Sequence, residues 1–159
     1  MSKADQRSAA RLAIVQALYQ MDVTGKGVNE ILAEFESFWI GREVEGDEYK
    51  PAEVAFFRDI LAGVLKEQRT IDPLIDRMLA EGWPLKRVEA VMRAVLRAGA
   101  YELKVRSDVP ARVVISEYVA VASAFFEREE AGMTNAVLDR LARQLRPGEL
   151  DEKVPRFSA

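Results

Sequence analysis

The stretch VLRAGAYELKVRSDVPARVVISEYVAVASA, residues 95–124, decides the fold. It reads as the end of one helix, a short stop and a complete second helix. Small and apolar residues recur at spacings of three and four on both sides of Ser107-Asp108-Val109-Pro110, which is the helical period. Asp108 is expected to accept a hydrogen bond from the open N–H groups of the second helix. Pro110 suits that first turn because its missing N–H would have had no partner there. The helix before the stop carries Arg97, Tyr101 and Glu102, and the helix after it carries Glu117. Arg97 and Tyr101 are four residues apart, so the expectation is one hydrogen-bonded network of Arg97, Tyr101 and Glu102 fixing the helix junction. Buried polar groups must find partners, and such networks commonly specify packing. Glu117 is expected to be a structural partner of an arginine, since two carboxylates without a pocket do not make an acid–base site.

The same period extends outward in both directions. Leu12, Val15, Leu18 and Tyr19 form a first stripe ending near Gly25-Lys26-Gly27. Ile31, Leu32, Phe35 and Phe38 form a second, before an acidic loop at 41–50. Pro51 opens a third helix with Val54, Phe57, Leu61, Val64 and Leu65. Thr70 and Asp72-Pro73 suggest a break before a short fourth helix through Leu79, and Gly82-Trp83-Pro84 imposes a turn. A fifth helix is expected from Leu85 to about Val105, a sixth from about Val109 to Phe126 and a seventh from about Gly132 to Leu145. Strand patterns are hard to find. The expected fold is all-α with about seven helices, a single domain over residues 1–148 and a polar, frayed tail at 149–159.

Composition narrows the chemistry. The chain has 159 residues, 49% apolar and 31% charged, which suits a soluble globular protein. It contains neither cysteine nor histidine. That removes disulfides, thiolate or imidazole zinc sites, a cysteine nucleophile and the usual general base. No phosphate-binding loop, dinucleotide fingerprint or nucleophile elbow occurs. No catalytic residue, metal, cofactor or small-molecule substrate is therefore expected. No apolar run approaches the roughly 20 residues that span a bilayer. Arg11 and Gln16 interrupt the N-terminal segment where a signal sequence would be apolar, and a cytoplasmic protein away from the membrane is the expectation.

Charge is unevenly distributed around a formal net value of −3. Residues 30–59 carry nine acidic against three basic side chains, whereas residues 85–112 carry seven basic against three acidic. Lys3, Arg7 and Arg11 are spaced four apart and line one stripe of the first helix. Such a stripe can follow phosphates by releasing their counterions, or it can simply be a solvated face. The acidic run Glu127, Glu129 and Glu130 reads as a solvated turn or a contact for a basic protein. Thr134 or Asn135 is the candidate cap of the last helix.

The arrangement LR-x-x-A-Y-E-L-x-x-R-S-D-V-P followed by V-x-I-x-E closely resembles the NusB family of bacterial transcription antitermination factors. FFRDILAGV (56–64), TNAVLDRLA (134–142) and RLAIVQALYQMD (11–22) also match, in family order and across most of the chain. The resemblance implies a bundle of two packed helical subdomains. It implies binding of single-stranded boxA-type leader RNA together with NusE, a protein of the small ribosomal subunit. Assembly into the elongating RNA polymerase complex would follow, in ribosomal RNA transcription. It assigns RNA contact to the arginine-rich N-terminal helix, hence to Lys3, Arg7 and Arg11, and to the start of the last helix. There Asn135 matches a family asparagine that can read a base edge, and Met133 stands where relatives carry an aromatic ring. Ser8 and Ala9 fall where the family is often basic, so the patch is thin. Tyr19 and the helix face around Arg93 correspond to the NusE-contacting surface. Two other readings remain: the NusB-like RNA-binding module of a ribosomal RNA cytosine methyltransferase, whose catalytic cysteine has no counterpart here, and a helical adaptor that uses its acidic half to hold a basic protein.

Overall fold

The computed structural model describes residues 3–43, 51–79 and 84–151. Among these there are six α-helices, one short 3-10 turn and no strand: α1 (Lys3–Thr24), α2 (Val28–Glu43), α3 (Pro51–Met78), the 3-10 turn Leu85–Arg87, α4 (Ala90–Val105), α5 (Ala111–Phe125) and α6 (Arg128–Leu145). Of the acidic loop expected at 41–50, residues 41–43 belong to α2 and residues 44–50 lie outside the described residues, as do Gly82-Trp83 and the tail beyond Asp151. So do the side chains of Lys3 and Phe38.

α4 is the centre of the bundle and touches α1, α3, α5 and α6. Its sequence explains why. Ala94, Ala98, Gly99 and Ala100 keep the helix thin, while Met92, Val95, Leu96 and Leu103 fill the gaps around it; all are buried. At Gly99 a Cβ would stand 2.9 Å from a methyl of Leu138 on α6, so glycine lets the two helices approach without displacing that side chain. α1 and α3 pack on each other and on α4, as do α5 and α6, and the two pairs also meet where α1 touches α5 and α3 touches α6. The two halves share one continuous core, running from Ile14, Ile31 and Phe57 through Leu96 to Tyr118 and Leu138.

Helix boundaries depart from the sequence reading in four places. The expected break at Asp72-Pro73 does not form, and α3 runs through Pro73 as one helix. Ile71 and Ile75 lie one turn apart on either side of the proline and are both fully buried. Their burial outweighs the single backbone bond that proline deletes. The helix expected from Leu85 begins only at Ala90, after the 3-10 turn and an extended Val88-Glu89. The last helix starts four residues earlier than expected. Glu127 and Glu130 form a reciprocal capping box, so the acidic run is a helix start rather than a free turn. Thr134 is correspondingly no cap. It is buried, donating to the Glu130 carbonyl at 2.9 Å and lying 3.1 Å from the Met92 sulfur.

The fourth departure is the stop itself. Asp108 does not cap α5; both of its oxygens accept from Arg106, at 3.0 Å each. Pro110 occupies the N-cap position, and the open N–H of Ala111 donates to Glu149 at 2.6 Å. Arg146 closes the other side. Its guanidinium donates to the carbonyls of Glu102, Leu103, Arg106 and Val109 at 2.6–3.0 Å, bracing the end of α4 and the stop that follows it. Packing therefore continues past residue 148: Glu149 bonds α5, and Leu150 is half-buried against the core.

Candidate nucleic-acid interface

α1 carries the candidate cations, and helical geometry separates them. Residues 7 and 11 lie on one side of the helix but face different depths. Arg7 is half-buried with its guanidinium 4.6 Å from the centre of the Phe56 ring, a cation–π arrangement at the surface. Arg11 is 2% exposed. Its Nε and Nη2 donate to the two oxygens of Glu102 at 2.8 and 3.0 Å, and its Nη1 donates to Glu117 Oε1 at 2.8 Å. Burial opposes the charge on Arg11, but the hydrogen bonds and charge of Glu102 more than offset it and hold its pKa above the ordinary value. Arg11 is thus a structural ion, not a phosphate ligand. Its period-four spacing from Arg7 was real, but α4 and α5 close over that end of the stripe. Lys3 belongs to α1, with its side chain outside the described residues.

Glu117 does pair with an arginine. Its Oε1 accepts from Arg11 and from the Ser8 hydroxyl, the latter at 2.5 Å. The expected trio on α4 does not form a network. Arg97 makes a two-pronged pair with Asp72 at 2.9 and 3.0 Å. Tyr101 lies against Gly63 of α3. Glu102 is fully buried toward α1 and α5, where Tyr118 donates to it at 2.5 Å. At 100° per residue, positions 97 and 102 point about 140° apart around the helix, so they cannot meet. Burial, and then the charge of Glu102, push the Tyr118 hydroxyl well above its ordinary pKa, so it remains a donor.

Two grooves flank the first half of α5. One, of about 360 Å³, lies between α1 and α5 and includes Arg7, Ser8, Asp108, Pro110, Val113 and Glu117. Val113 is 43% exposed. The other, of about 470 Å³, lies between α5 and α6 and includes Arg112, Ser116, Asn135, Asp139 and Arg143. Asn135 is exposed there, while Arg143 is held by Asp139 at 2.9 Å and Asp151 at 2.7 Å. Met133 is not on this side. It is half-buried in a third groove with Val88, Met92 and Phe126, edged by Glu89 and Glu129. Two residues of helix rotate a side chain by about 200°, which separates Met133 from Asn135. The structure therefore brings Arg7 and Asn135 to either side of α5 and leaves Met133 apart from them.

The surface expected to hold a protein partner is partly spent internally. Tyr19 is 36% exposed on α1. Arg93 donates to Asp22 Oδ2 at 3.1 and 2.9 Å and to the carbonyls of Lys86 and Val88. It ties the start of α4 to the end of α1, so its replacement would disturb the fold as well as any contact. Sequence reasoning missed Ser8 and Val113 as parts of the groove, and Phe56 as the ring on which Arg7 stacks. Phe56 lies within the matching block FFRDILAGV, yet nothing local indicates that Arg7, Arg11 and Arg106 all gather within 5.0 Å of its ring centre.

A transcription antitermination protein NusB of Rhodopseudomonas palustris is 68% identical over 147 residues, covering 92% of this chain and 84% of the relative. The solved T. maritima NusB superposes with a TM-score of 0.77 at 31% identity, covering 92% of this chain and 97% of that one. The fold also matches, with a TM-score of 0.73 and 23% identity over 88% of this chain and 98% of the other, a structure of antitermination factors NusB and NusE in complex with dsRNA. The profile of the NusB family matches residues 8–143, and the chain belongs to the NusB family.

Proposed function

We infer that this protein is a transcription antitermination factor that captures boxA-type single-stranded leader RNA together with NusE. The loaded pair then joins elongating RNA polymerase and suppresses termination, in ribosomal RNA transcription. The observation that carries this reading is the 68% identity, over nearly the whole chain, to a transcription antitermination protein NusB. The complex of NusB and NusE with dsRNA on the same fold makes NusE and RNA the partners to test.

The task is recognition without bond-making, in the cytoplasm. Arg7 supplies a cation for phosphate from the edge of the α1–α5 groove, and Asn135 supplies an amide for a base edge from the α5–α6 groove. Phosphate contacts position an RNA strand, while base-edge contacts specify it. With one well-placed arginine and a net charge of −3, the chain by itself has little electrostatic hold on RNA. The basic partner NusE supplies the remainder, with Tyr19 and the surface near Arg93 contributing to that contact.

The deciding measurement is an RNA-binding isotherm with and without purified NusE. Binding to a boxA-type oligonucleotide should be tight only in its presence. Arg7→Glu should weaken it and lower the slope of log affinity against log salt by about one unit. Unchanged affinity and slope in that variant would remove Arg7 from the interface. Failure of the wild-type pair to bind would overturn the reading as a whole.

A further inference from the structure

The groove between α1 and α5 contains several charged groups, and most have their hydrogen-bonding capacity spent. Every nitrogen of the Arg11 guanidinium already donates to Glu102 or Glu117. Both oxygens of Asp108 are taken by Arg106. The Ser8 hydroxyl proton is shared between the Ala4 carbonyl and Glu117. Two groups are left over. Arg7 stacks on Phe56 and donates to no acceptor among the described residues. Glu117 spends only Oε1; its Oε2 accepts from none of the described residues, and the side chain is 25% exposed into the groove.

A lone carboxylate oxygen in a groove that also offers a cation is not a phosphate contact, because it would repel one. It is a pre-positioned acceptor. Ser8 and Arg11 hold its partner oxygen, so its direction is set before any ligand arrives. Beside it, Val109 and Val113 with Pro110 make an apolar wall, of which Val113 is the exposed part. An acceptor, an apolar face and a cation together match the edge, the face and the phosphate of one nucleotide.

We propose that this groove holds one nucleotide of the bound RNA, with Glu117 Oε2 reading an exocyclic amino group of its base, Val113 and Pro110 covering the base face and Arg7 on the phosphate. The proposal rests on the RNA-binding function inferred above and deepens it by naming a specificity-determining residue. Cytosine and uracil have nearly the same shape but opposite edges. The amino group of cytosine donates to Oε2, whereas the keto oxygen of uracil would face it acceptor to acceptor. At one position of the RNA, cytosine is therefore preferred over uracil.

Glu117→Gln is the informative change. Its amide oxygen still accepts from Ser8 and Arg11, and Glu102 still neutralises Arg11, while its NH₂ replaces Oε2 with a donor. The experiment is fluorescence anisotropy with a boxA-type RNA and its single C-to-U and U-to-C variants, titrated with the protein and NusE at one salt concentration. Wild type should lose about tenfold in affinity for C-to-U at one position, the discrimination expected of a single base-edge contact. Glu117→Gln should abolish or invert that preference there and leave the other positions unchanged. Val113→Glu, at a surface site, should keep the wild-type melting temperature and weaken every RNA by about tenfold or more through loss of the base face and repulsion of phosphate. Wild-type binding with an identical selectivity profile in Glu117→Gln, or undiminished binding by Val113→Glu, would overturn the nucleotide pocket alone. No binding by wild type would overturn the functional reading instead.

Discussion

Truncating Glu102 to alanine tests the buried network on which the α1–α4–α5 junction rests. Glu102 has no exposed surface and accepts three hydrogen bonds, two from Arg11 and one from Tyr118. Its removal leaves the Arg11 guanidinium, 3% exposed, with Glu117 as its remaining partner. Removing one member of a buried ion pair costs about 3–5 kcal/mol, because the other charge stays desolvated. For a domain of about 150 residues, each kcal/mol moves the melting temperature by about 2–4 °C, so a fall of about 6–20 °C is expected. Tyr118→Phe removes only one hydrogen bond to a charged group and should cost about 1.5–3 kcal/mol. The decisive variant is the triple Arg11→Met, Glu102→Leu, Tyr118→Phe. It deletes both buried charges and the hydroxyl together, so no group is left desolvated without a partner. It should be more stable than Glu102→Ala alone. Urea unfolding followed by circular dichroism gives the free energies, with equal m values as the check that the unfolded reference is unchanged. A loss under about 1 kcal/mol in Glu102→Ala, or a triple variant less stable than the single one, would refute the reasoning.

Arg146→Ala should destabilise the protein by more than about 2 kcal/mol, since four carbonyls around the stop lose their shared donor; a thermal melt indistinguishable from wild type would count against that role. Gly63→Ala should cost about 1–3 kcal/mol by overpacking, because its Cβ would overlap the Tyr101 ring. An additional Tyr101→Leu should recover part of that loss in the same denaturation assay. The Arg106 fork on Asp108 holds that carboxyl down to about 2. A folded value below the ordinary one means that the stabilisation is complete above about pH 4 and is lost as pH falls through about 2. Asp108→Asn should therefore flatten the acid limb of a melting-temperature profile between those limits, by a small amount because the group is largely exposed. Arg11→Glu should unfold or strongly destabilise the protein by placing a third carboxylate among Glu102 and Glu117, whereas Arg7→Glu should leave the melting temperature within about 2 °C of wild type.

The helical content was legible because apolar spacing at three and four is a local property, set by the 3.6-residue turn and carried by every segment. The stop after Val105 was legible for the same reason, as was the resemblance spread over four ordered blocks. Boundaries were less so. Pro73 signals a helix end locally, yet Ile71 and Ile75 find a core that outweighs it. Glu127 and Glu130 look like a solvated run until the chain closes them into a reciprocal cap.

What the sequence by itself determined is therefore the class of fold, the approximate helices, the lack of cysteine and histidine chemistry and the family. These follow from composition, period and motif, which need no knowledge of what touches what. What only the tertiary structure decided is which charges remain available. Arg7 and Arg11 are equivalent in a sequence stripe, but one stacks at the surface on Phe56 and the other is buried between two glutamates from α4 and α5. Asp108 and Glu117 are both acidic residues near one turn, but the first is fully paired and the second keeps one oxygen open to a groove. The partners that bury Arg11 and hold Glu117 lie 91 to 109 residues away in the chain, and their effect on a charge is decided by distance and desolvation in three dimensions.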